Sequence, residues 1–377
     1  MKIALVCDWL TNVGGAEKVL LAIHRLYPDA PIYTSKYSRR GIDWFDDADV
    51  RTGWLQIFPT SWRRILGPLR QLWFSHLDLS EYDLVISVTG AEAKAVKAPN
   101  GVHISYCHVP TQYYWQMYDE YLRNPGFGIL NPIVRLFFKL WAKTMRRADY
   151  KAAQRVDQFV TISDYAKEQI LRYYDRESTV IYPPVEVSDF AHGTKTKLNE
   201  AEIERELGFN MREAYIVTSR QVTWKRIDLA VRACLKLKQP LVIIGEGPEH
   251  RKLMRMAGNS ELIKFLPLMK KAELADYLRL AKCYLFPSLE PFGIAPVEAL
   301  AAGCPVIAFE EGGARNYVID GENGLLFDRQ TVSSLVSAMI KFEKTSFKRA
   351  AVAKTAKGFS VERFNQELRK FIDENSW

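Results

Sequence analysis

The sequence has no long apolar run, which limits where the protein can reside. Its 377 residues contain no uninterrupted apolar stretch near the roughly 18 to 20 residues that a membrane-spanning helix needs. The apolar core of the opening segment MKIALVCDWL ends at Asp8 and is too short for a secretion signal. We therefore expect a cytoplasmic protein without a spanning segment.

Cysteine and histidine are scarce. The five cysteines are an odd number that occur singly without C-x-x-C spacing, and the six histidines form no cluster with the spacing of metal ligands. We expect reduced, structural thiols and no bound metal. Internal repeats, low-complexity tracts and the helix-turn-helix, zinc-finger or RNP-like patterns of nucleic-acid-binding proteins are also missing.

The chain is basic, with a formal net charge of +8, which favours an anionic partner such as nucleic acid, an acidic membrane surface or a phosphate-bearing substrate. Two stretches mix bases with aromatics: RTGWLQIFPTSWRRILGPLRQLWF (51–74), which has no acid, and NPIVRLFFKLWAKTMRRADYKAAQR (131–155). A helix over the second stretch has a basic side and an apolar side. It can lie at a membrane interface or dock on the domain core. The two sides are Arg135, Lys139, Lys143 and Arg146 against Phe137, Trp141, Met145 and Ala148.

The length and a composition of 48% hydrophobic and 25% charged residues indicate two globular α/β domains. Residues 1–182 alternate short strand candidates (KIALVCDW, PIYTSKY, YDLVISVTG, HISYCH, QFVTIS) with helical or loop sequence. The double proline Pro183-Pro184 opens a predicted linker region, 183–212. Residues 213–359 carry five alternations of strand and helix, from EAYIVTSR to PVIAF, which predicts a second doubly wound domain.

Several polar groups follow predicted strands, where such sheets bind ligands. Gly14 and Gly15 lie between the first strand and the first helix, so their backbone N–H groups can receive a phosphate or simply make the turn. The turn GEGPEH begins at Gly245 and has the first two glycines of a dinucleotide fingerprint, but His250 stands where the third should be. This argues against NAD.

Two cations and two acids complete the candidate residues. Arg220 and Lys225 follow the strand AYIVTS, where they can bind a diphosphate. Alternatively, they are solvated surface charges. In FPSLEPFGIAPVEAL, Glu290 precedes a tight loop and Glu298 lies in the following helix, where it can accept hydrogen bonds from vicinal hydroxyls such as those of ribose. Alternatively, neither acid binds a ligand: Glu290 is exposed to solvent and Glu298 lies on a helix face.

Glu290 and Glu298, separated by seven residues, resemble the E-x7-E motif of retaining glycosyltransferases of family 4. That family has the GT-B fold, two Rossmann-like doubly wound domains facing a central cleft. The resemblance extends along the chain and implies that the C-terminal helix, 360–377, packs back onto an acceptor-binding N-terminal domain. The other segments that resemble the family are VGGAEKVL, VTISDYAKEQI, VIYPPVE, SRQVTWKRIDLAVRA, LVIIGEGPEHRKL and EEGGARNYVIDGENGLLFD.

The resemblance also implies roles for the candidate residues. Arg220 and Lys225 would bind the donor diphosphate. Glu290 and the backbone amides of Phe292, Gly293 and Ile294 would hold the transferred sugar, and Glu298 would hold the ribose. The glycines that would approach the nucleotide are Gly14 and Gly15 of the first domain and Gly245 of the second.

The segment YCHVPTQYYW resembles the histidine-containing loop of the bacterial mannosyltransferase branch and would place His108 near the reacting face of the sugar, beside the catalytic Glu290, Arg220 and Lys225. From the chain alone, His108 can also be a core histidine. Gln112 stands where a basic residue is usual in that branch, which affects the identity of the sugar or acceptor rather than the reaction.

The activity implied is a metal-independent hexosyl transfer without a cofactor. GDP-mannose is the first expected donor and UDP-hexoses are the alternative. A lipid-diphosphate-linked saccharide in cell-surface polysaccharide assembly is the expected acceptor, met at the anionic inner face of the cytoplasmic membrane, and no nucleic-acid partner is expected. A sugar-nucleotide epimerase and a non-catalytic sugar-nucleotide-binding protein remain the competing classes.

Overall fold

The computed structural model divides into two compact units, each built around its own parallel sheet. The first unit comprises Met1–Pro184 together with Phe364–Trp377, and the second comprises Val185–Arg363. The residues that the structure describes are 1–123, 128, 131–191 and 200–375. Within those ranges, every helix is too short or too polar to span a bilayer.

The sheet of the first unit has seven parallel strands over the described residues, in the order β3-β2-β1-β4-β5-β6-β7. Every residue of β4 is buried, as expected for a parallel sheet whose two faces are both covered. The strands are β1 (Ile3–Cys7), β2 (Ile32–Thr34), β3 (Val50–Thr52), β4 (Leu84–Thr89), β5 (Val102–Cys107), β6 (Gln158–Thr161) and β7 (Thr179–Val180).

The sequence pattern predicts five of these strands and misses β3 and β7, which lie at the two edges of the sheet. β3 is largely exposed and β7 has only two residues, so neither carries an apolar run long enough to be recognised. The pairing with a neighbouring strand, rather than local sequence, determines both edges.

Among the described residues of the first unit, five helices connect these strands: α1 (Gly15–Leu26), α2 (Gly67–Ser75), α3 (Tyr118–Arg123), α4 (Asn131–Gln154) and α5 (Asp164–Tyr174). Local chemistry sets the bounds of α5. The Ser163 hydroxyl accepts a hydrogen bond from the N–H of Ala166, 3.0 Å away, and the helix ends at Asp175 in the left-handed conformation.

The long helix α4 is buried in its second half and exposed in its first. Its buried residues start at Ala142 and include Met145, which the sequence places on the apolar side. Phe137 and Trp141, on the same predicted side, are 57% and 52% exposed. The core-docking interpretation therefore fits the second half of α4, whereas the apolar side chains of the first half face solvent.

A buried ion pair anchors the second half of α4. Asp149 of α4 lies 2.6 Å from the Lys94 ammonium, and both side chains are almost fully buried. The Asp149 carboxylate also accepts hydrogen bonds from Thr111 (2.9 Å), the Trp115 indole (2.7 Å) and the Tyr174 hydroxyl (2.7 Å). Four donors thus compensate the desolvation of one charge.

The second unit contains, over its described residues, a six-stranded parallel sheet in the order β10-β9-β8-β11-β12-β13. Counted from its first strand, this is the 3-2-1-4-5-6 order of a Rossmann fold, and the first six strands of the other unit follow the same order. The strands are β8 (Tyr215–Thr218), β9 (Leu241–Ile244), β10 (Ile263–Leu266), β11 (Cys283–Phe286), β12 (Val306–Phe309) and β13 (Gly324–Phe327).

The helices of this unit include two in the region predicted to be a linker. From Val185 onward its described part belongs to the second unit and contains α6 (Val187–Ala191) and α7 (Glu200–Leu207), while residues 192–199 lie outside the described residues. Buried Val187, Phe190, Ile203 and Leu207 dock these short helices, which explains why the linker prediction is wrong there. The helices are α6 (Val187–Ala191), α7 (Glu200–Leu207), α8 (Ile227–Leu237), α9 (His250–Ala257), α10 (Lys271–Leu280), α11 (Ile294–Ala301), α12 (Val332–Phe342) and α13 (Arg349–Thr355).

The last helix, α14 (Val361–Asn375), belongs to the first unit from Phe364 onward. Phe364, Leu368 and Ile372 are buried and recur at helical spacing, and the Phe364 ring lies 5.9 Å from that of Tyr106. Residues 376 and 377, the end of the predicted helix 360–377, lie outside the described residues.

We expect Asp149→Ala to destabilise the first unit by about 3 to 5 kcal/mol, because the Lys94 ammonium would remain buried without its counter-charge. Urea unfolding measures this change. As the matched control, Glu81→Ala removes one partner of the exposed Lys2–Glu81 pair and should cost less than about 1 kcal/mol. Equal losses for the two variants would contradict the importance of this buried pair.

Candidate functional site

The candidate site of the second unit lies where the strand order reverses. β8 and β11 are neighbours at the centre of the sheet. After β8 the chain continues to β9 on one side, and after β11 it continues to β12 on the other side. Ligands of doubly wound sheets bind at such a switch point, outside the carboxyl ends of the strands. Arg220 and Lys225 follow β8, and Glu290 and Gly293 follow β11, so four of the predicted residues border this point.

An ion pair crosses the switch point. The Lys225 ammonium lies 2.5 Å from the Glu290 carboxylate, with 21% and 18% of the two side chains exposed. The Ser288 hydroxyl donates to the same carboxylate oxygen over 2.8 Å. The structure thus brings together a cation and an acid that the sequence places 65 positions apart, and it adds Ser288, which the sequence analysis did not identify.

The other predicted cation makes a different contact. Arg220 is exposed, and its guanidinium carbon lies 5.7 Å from the centre of the Trp224 ring. Cation–π contact with an exposed ring positions the guanidinium without neutralising it. Arg220 can therefore meet an anion directly, whereas Lys225 would divide its charge between the anion and Glu290.

Gly293 allows the loop after β11 to turn into α11. Its φ of 94° lies in the left-handed region, and a Cβ there would be 2.6 Å from the Phe286 ring and 2.9 Å from the Tyr317 hydroxyl. Tyr317 donates its hydrogen bond to the carbonyl of Phe292 over 2.8 Å. The first turn of α11, beginning at Ile294, has no side-chain cap, so its N–H groups are oriented to receive an anion.

A second glycine loop packs on this one. The N–H of Gly313 donates to the carbonyl of Glu290 over 2.8 Å. A Cβ on Gly312, whose φ is 93°, would lie 2.5 Å from the same carbonyl, and one on Gly313 would lie 2.4 Å from the Phe292 Cα. Only glycines permit this approach, so the segment EEGGARN holds the backbone of the Glu290 loop in position.

Glu298 lies one turn inside α11, and its residue is 8% exposed. Its charge contributes, after burial, to raising the pKa of Tyr284, whose hydroxyl donates to the carbonyl of Thr218 over 2.9 Å. Glu298 therefore lies near the end of β8, with little of its side chain open to solvent.

The glycine turn after β9 packs on the chain that leaves β8. Gly245 has a φ of 121°, and a Cβ there would be 2.4 Å from the carbonyl of Ser219. The side-chain Nε2 of buried Gln221 donates to the carbonyl of Gly245 over 2.5 Å, and its Oε1 lies 2.8 Å from His250 Nδ1. His250 thus fixes Gln221 in place. Sequence reasoning missed Gln221, because a lone glutamine carries no motif.

In the first unit, Gly14 and Gly15 begin α1, with Gly14 in an extended conformation at its N-cap. A Cβ on Gly14 would lie 2.7 Å from the carboxylate of Glu17, a buried acid in the first turn of α1. This acid already faces the positive end of the helix dipole, which weakens the attraction of the turn for a phosphate. Glu17 was not recognised from the sequence.

Asp8 closes the switch point of the first unit. It follows β1, and its carboxylate accepts hydrogen bonds from the Thr89 hydroxyl and the N–H groups of Gly90, Ala91 and Ala93, all within 3.0 Å. The loop after β4 is therefore tied to the end of β1. The sequence gives no signal for this role beyond an acid at the end of a strand.

His108 follows β5, and its ring lies 5.6 Å from that of Tyr106. Burial lowers its pKa to about 4, so the imidazole is neutral near pH 7. Its Nε2 is buried without a hydrogen-bond partner among the described residues. A neutral imidazole with an unused nitrogen can donate or accept one hydrogen bond from a ligand.

The structure describes no group of three or more His, Cys, Asp or Glu side chains placed to bind a metal ion, over the ranges given above. All five cysteines are free thiols in buried positions. Burial raises the pKa of the Cys107 thiol to about 12, so this group is protonated near pH 7. Metal independence itself stays a prediction.

Gly293→Ala should destabilise the second unit by about 1 to 3 kcal/mol, because a Cβ at this φ is strained and meets Phe286 and Tyr317. Thermal unfolding measures the loss. Gly358→Ala in the same unit is the matched control, since a Cβ there meets nothing within 4 Å. A loss no greater than that of the control would show that the loop relaxes freely.

His108 should make the first unit sensitive to acid. Its folded pKa of about 4 lies below the value near 6.5 of an unfolded histidine, so between these values the unfolded chain binds more protons. Stability therefore falls as the pH falls through that window, by up to about 1.4 kcal/mol per pH unit. In urea unfolding at pH 7 and pH 5, His108→Asn should reduce this loss, whereas His76→Asn, at an exposed position, should not. The same loss in both variants would exclude His108 as its cause.

One protein family matches most of the second unit. Residues 199–359 match the family described as Glycosyl transferases group 1. The predicted glycosyltransferase resemblance is confirmed at this level. Assignment to family 4 and to its mannosyltransferase branch stays a prediction.

Curated relatives match at low identity over part of their length. The D-inositol 3-phosphate glycosyltransferase of Mycobacterium sp. (strain KMS) is 27% identical over 225 residues, which cover 55% of this chain and 50% of that protein. The GDP-mannose-dependent alpha-(1-6)-phosphatidylinositol monomannoside mannosyltransferase of Mycolicibacterium smegmatis is 26% identical over 212 residues, covering 52% and 55%. The chain thus spans about half the length of these curated relatives.

Solved structures match over nearly the whole chain. Anabaena HepE, in complex with UDP, has a TM-score of 0.74 and 19% identity, covering 99% of this chain and 100% of that chain. At this identity the likeness shows the fold alone. The prediction of a GT-B protein with two Rossmann-like domains is confirmed.

Proposed function

We propose that the protein is a retaining hexosyltransferase that moves a hexose from a nucleotide diphosphate sugar to a lipid-diphosphate-linked saccharide in cell-surface polysaccharide assembly. The observation that carries the proposal is the Lys225–Glu290 pair at the switch point of the second unit, beside exposed Arg220 and the uncapped start of α11. This arrangement combines groups that bind a diphosphate with an acid that binds a sugar.

The diphosphate would lie against the cations and the helix start. Arg220 presents a rigid fork of donors to the phosphate oxygens, Lys225 adds a point charge, and the N–H groups from Ile294 add the dipole of α11. Each stabilises the negative charge that develops when the bond between the sugar and the phosphate breaks. Such preorganised groups supply the stabilisation that a metal ion supplies in other transferases, so the proposed reaction needs no metal.

Glu290 would orient the transferred sugar. Its carboxylate accepts from Ser288 and pairs with Lys225, so a sugar hydroxyl would enter an already ordered network. The amides of Phe292, Gly293 and Ile294 are proposed to hold the sugar together with Glu290. Glu298 is the proposed ribose contact, and its small exposed fraction limits it to a ligand group that reaches the end of β8.

Retention of configuration would follow from attack on the face from which the diphosphate leaves. The acceptor oxygen bonds to the anomeric carbon, the bond from that carbon to the phosphate oxygen breaks, and the departing phosphate takes the acceptor proton. No side chain acts as nucleophile in this scheme. Detection of a glycosyl adduct on Glu290 by mass spectrometry would contradict it.

His108 would contact the sugar from the first unit. Its neutral ring and unpartnered, buried Nε2 suit a hydrogen bond to a sugar hydroxyl rather than the transfer of a proton near pH 7. Gly14 and Gly15 are proposed to approach the diphosphate. Because the carboxylate of Glu17 lies beside this turn, the turn attracts the diphosphate less strongly than Arg220 and Lys225 do.

GDP-mannose is the proposed donor, and UDP-hexoses are the alternative. A GDP-mannose-dependent mannosyltransferase among the relatives supports the first, and the UDP complex of HepE supports the second. The exposed apolar and basic residues of α4 support work at the anionic inner face of the cytoplasmic membrane. Nothing proposed here requires a cofactor or a nucleic-acid partner.

Calorimetric titration with GDP-mannose, UDP-glucose, UDP-galactose and UDP-GlcNAc tests the donor site. We expect sugar nucleotides of one base to bind equally well with and without EDTA. Glu298→Ala should weaken that binding by about 10- to 100-fold, the value of a hydrogen bond to a charged group.

Glu322→Ala, at an exposed position of the same unit, is the matched control and should bind like the wild type. Binding that requires a divalent metal would overturn metal independence, and binding of no sugar nucleotide would overturn the donor site. Turnover that releases no free nucleotide would instead favour an epimerase, and binding without turnover a non-catalytic protein.

A further inference from the structure

The first unit contains an apolar cavity of about 290 Å³ beside α4. α4 contributes one wall through Val134, Phe137, Trp141 and Met145, and Ile65 before α2 contributes to another. All the described lining residues are uncharged. None of them belongs to the proposed donor site.

The volume limits what can enter. The volume of about 290 Å³ lies just below the roughly 300 to 1,000 Å³ of ligand pockets, and is about twice the ~150 Å³ of an engineered apolar cavity that stays dry and binds benzene. A slender hydrocarbon group fits such a space, whereas a saccharide would leave its hydroxyls without partners there.

The cavity continues into an exposed apolar face of the same helix. At 100° per residue, Ile133, Leu136 and Leu140 form a stripe next to the cavity wall, and they are 56%, 59% and 64% exposed. Phe137 and Trp141 line the cavity while exposing more than half of their surfaces. The part of a bound hydrocarbon chain that extends out of the cavity would therefore still contact apolar surface.

The α2 side repeats this arrangement. Leu69 and Leu72 of α2 are 36% and 51% exposed, and Ile65, just before this helix, is 45% exposed. The surrounding stretch, 51–74, contains no acid. Ile65 and Pro68 line the cavity from this side, so apolar residues border it from two parts of the first unit, and exposed apolar surface beside a cavity is typical of an interaction site.

The charges beside the cavity are mainly positive. α4 exposes Arg135, Lys139 and Lys143 between its cavity face and its apolar stripe, and Arg147 in line with the stripe, while its one acid, Asp149, is buried against Lys94. Exposed Asp119 and Glu120 of α3 offset part of this charge. An apolar cavity bordered by cations is complementary to an amphiphile with an anionic head.

We propose that this cavity holds part of the hydrocarbon chain of a single anionic lipid, whose phosphate meets the cations of α4. The proposal rests on the proposed function and deepens it, because it assigns the lipid chain of the acceptor to a site. The cavity would retain the acceptor by its chain while its saccharide stays in water.

Farnesyl phosphate is a suitable probe, with farnesol and inorganic phosphate as partial ligands, titrated into the full chain without detergent. We expect farnesyl phosphate to bind, inorganic phosphate not to bind, and farnesol to bind more weakly. Val134→Trp, which fills the cavity, should lower the affinity for farnesyl phosphate at least about tenfold. Leu136→Trp places the same side chain on the exposed stripe and should change it little.

A second variant does not alter the cavity. Lys139→Gln with Lys143→Gln should weaken binding of farnesyl phosphate and leave farnesol unchanged. Unchanged affinity in Val134→Trp, at an unchanged unfolding temperature, would overturn the proposal. So would equal losses for Val134→Trp and Leu136→Trp.

Sedimentation with anionic phospholipid vesicles separates the cavity from a membrane surface. Ile133→Ser with Leu140→Ser should reduce vesicle binding and should weaken farnesyl phosphate binding much less than Val134→Trp does. Vesicle binding without any binding of farnesyl phosphate would mean that α4 contacts only a bilayer, and the cavity proposal would fail.

The same samples titrated with sugar nucleotides keep this test separate from the donor site. Binding of farnesyl phosphate without binding of a sugar nucleotide would overturn the proposed function and leave the cavity. The reverse result would overturn the cavity alone.

Discussion

Burial of parallel strands is the constraint from which both units follow. The strands of a doubly wound sheet are apolar on both faces, as in β4, β9 and β12, where every residue is buried. Such buried strands cannot carry polar side chains that bind a ligand, so these side chains occur where the strands end. In each unit the strand order then creates one place, the switch point, where two such ends diverge and leave a crevice.

The two units use that place differently. In the first, four donors surround the Asp8 carboxylate and bind the loops together, so the acid is part of the scaffold. In the second, Lys225 and Glu290 remain partly exposed and share one contact. An ion pair that keeps some exposure can exchange partners with a ligand at modest cost, whereas removal of one partner from a fully buried pair leaves an uncompensated charge. The difference in burial therefore identifies the second switch point as the one suited to an anionic ligand.

The sequence could predict what depends on local pattern. Central strands and helices of both units follow from apolar runs, and the E-x7-E spacing led to the loop at Glu290. Contacts between distant segments could not be found this way. Gln221 and Gly313 matter because the fold places them against Gly245 and Glu290, and the sequence does not indicate these partners. The linker prediction failed for a related reason, since α6 and α7 are short helices held by packing.

The apolar cavity needs walls that resist collapse, and the buried charges of the first unit supply them. Glu92 pairs with Arg70 at 2.8 Å and also accepts hydrogen bonds from Tyr113 and Tyr114, two lining residues, which fixes one wall. The hydrogen bonds of Asp149 fix the second half of α4, which reaches the cavity at Met145.

Burial of a large apolar side chain is worth about 1.5 to 3 kcal/mol, so closing the cavity would be favourable if the walls could move. Moving the Tyr113 and Tyr114 wall inward would break hydrogen bonds to the buried Glu92 carboxylate, at about 1.5 to 3 kcal/mol for each bond to a charged group. The same interactions that stabilise the first unit therefore keep its apolar surface available to a ligand.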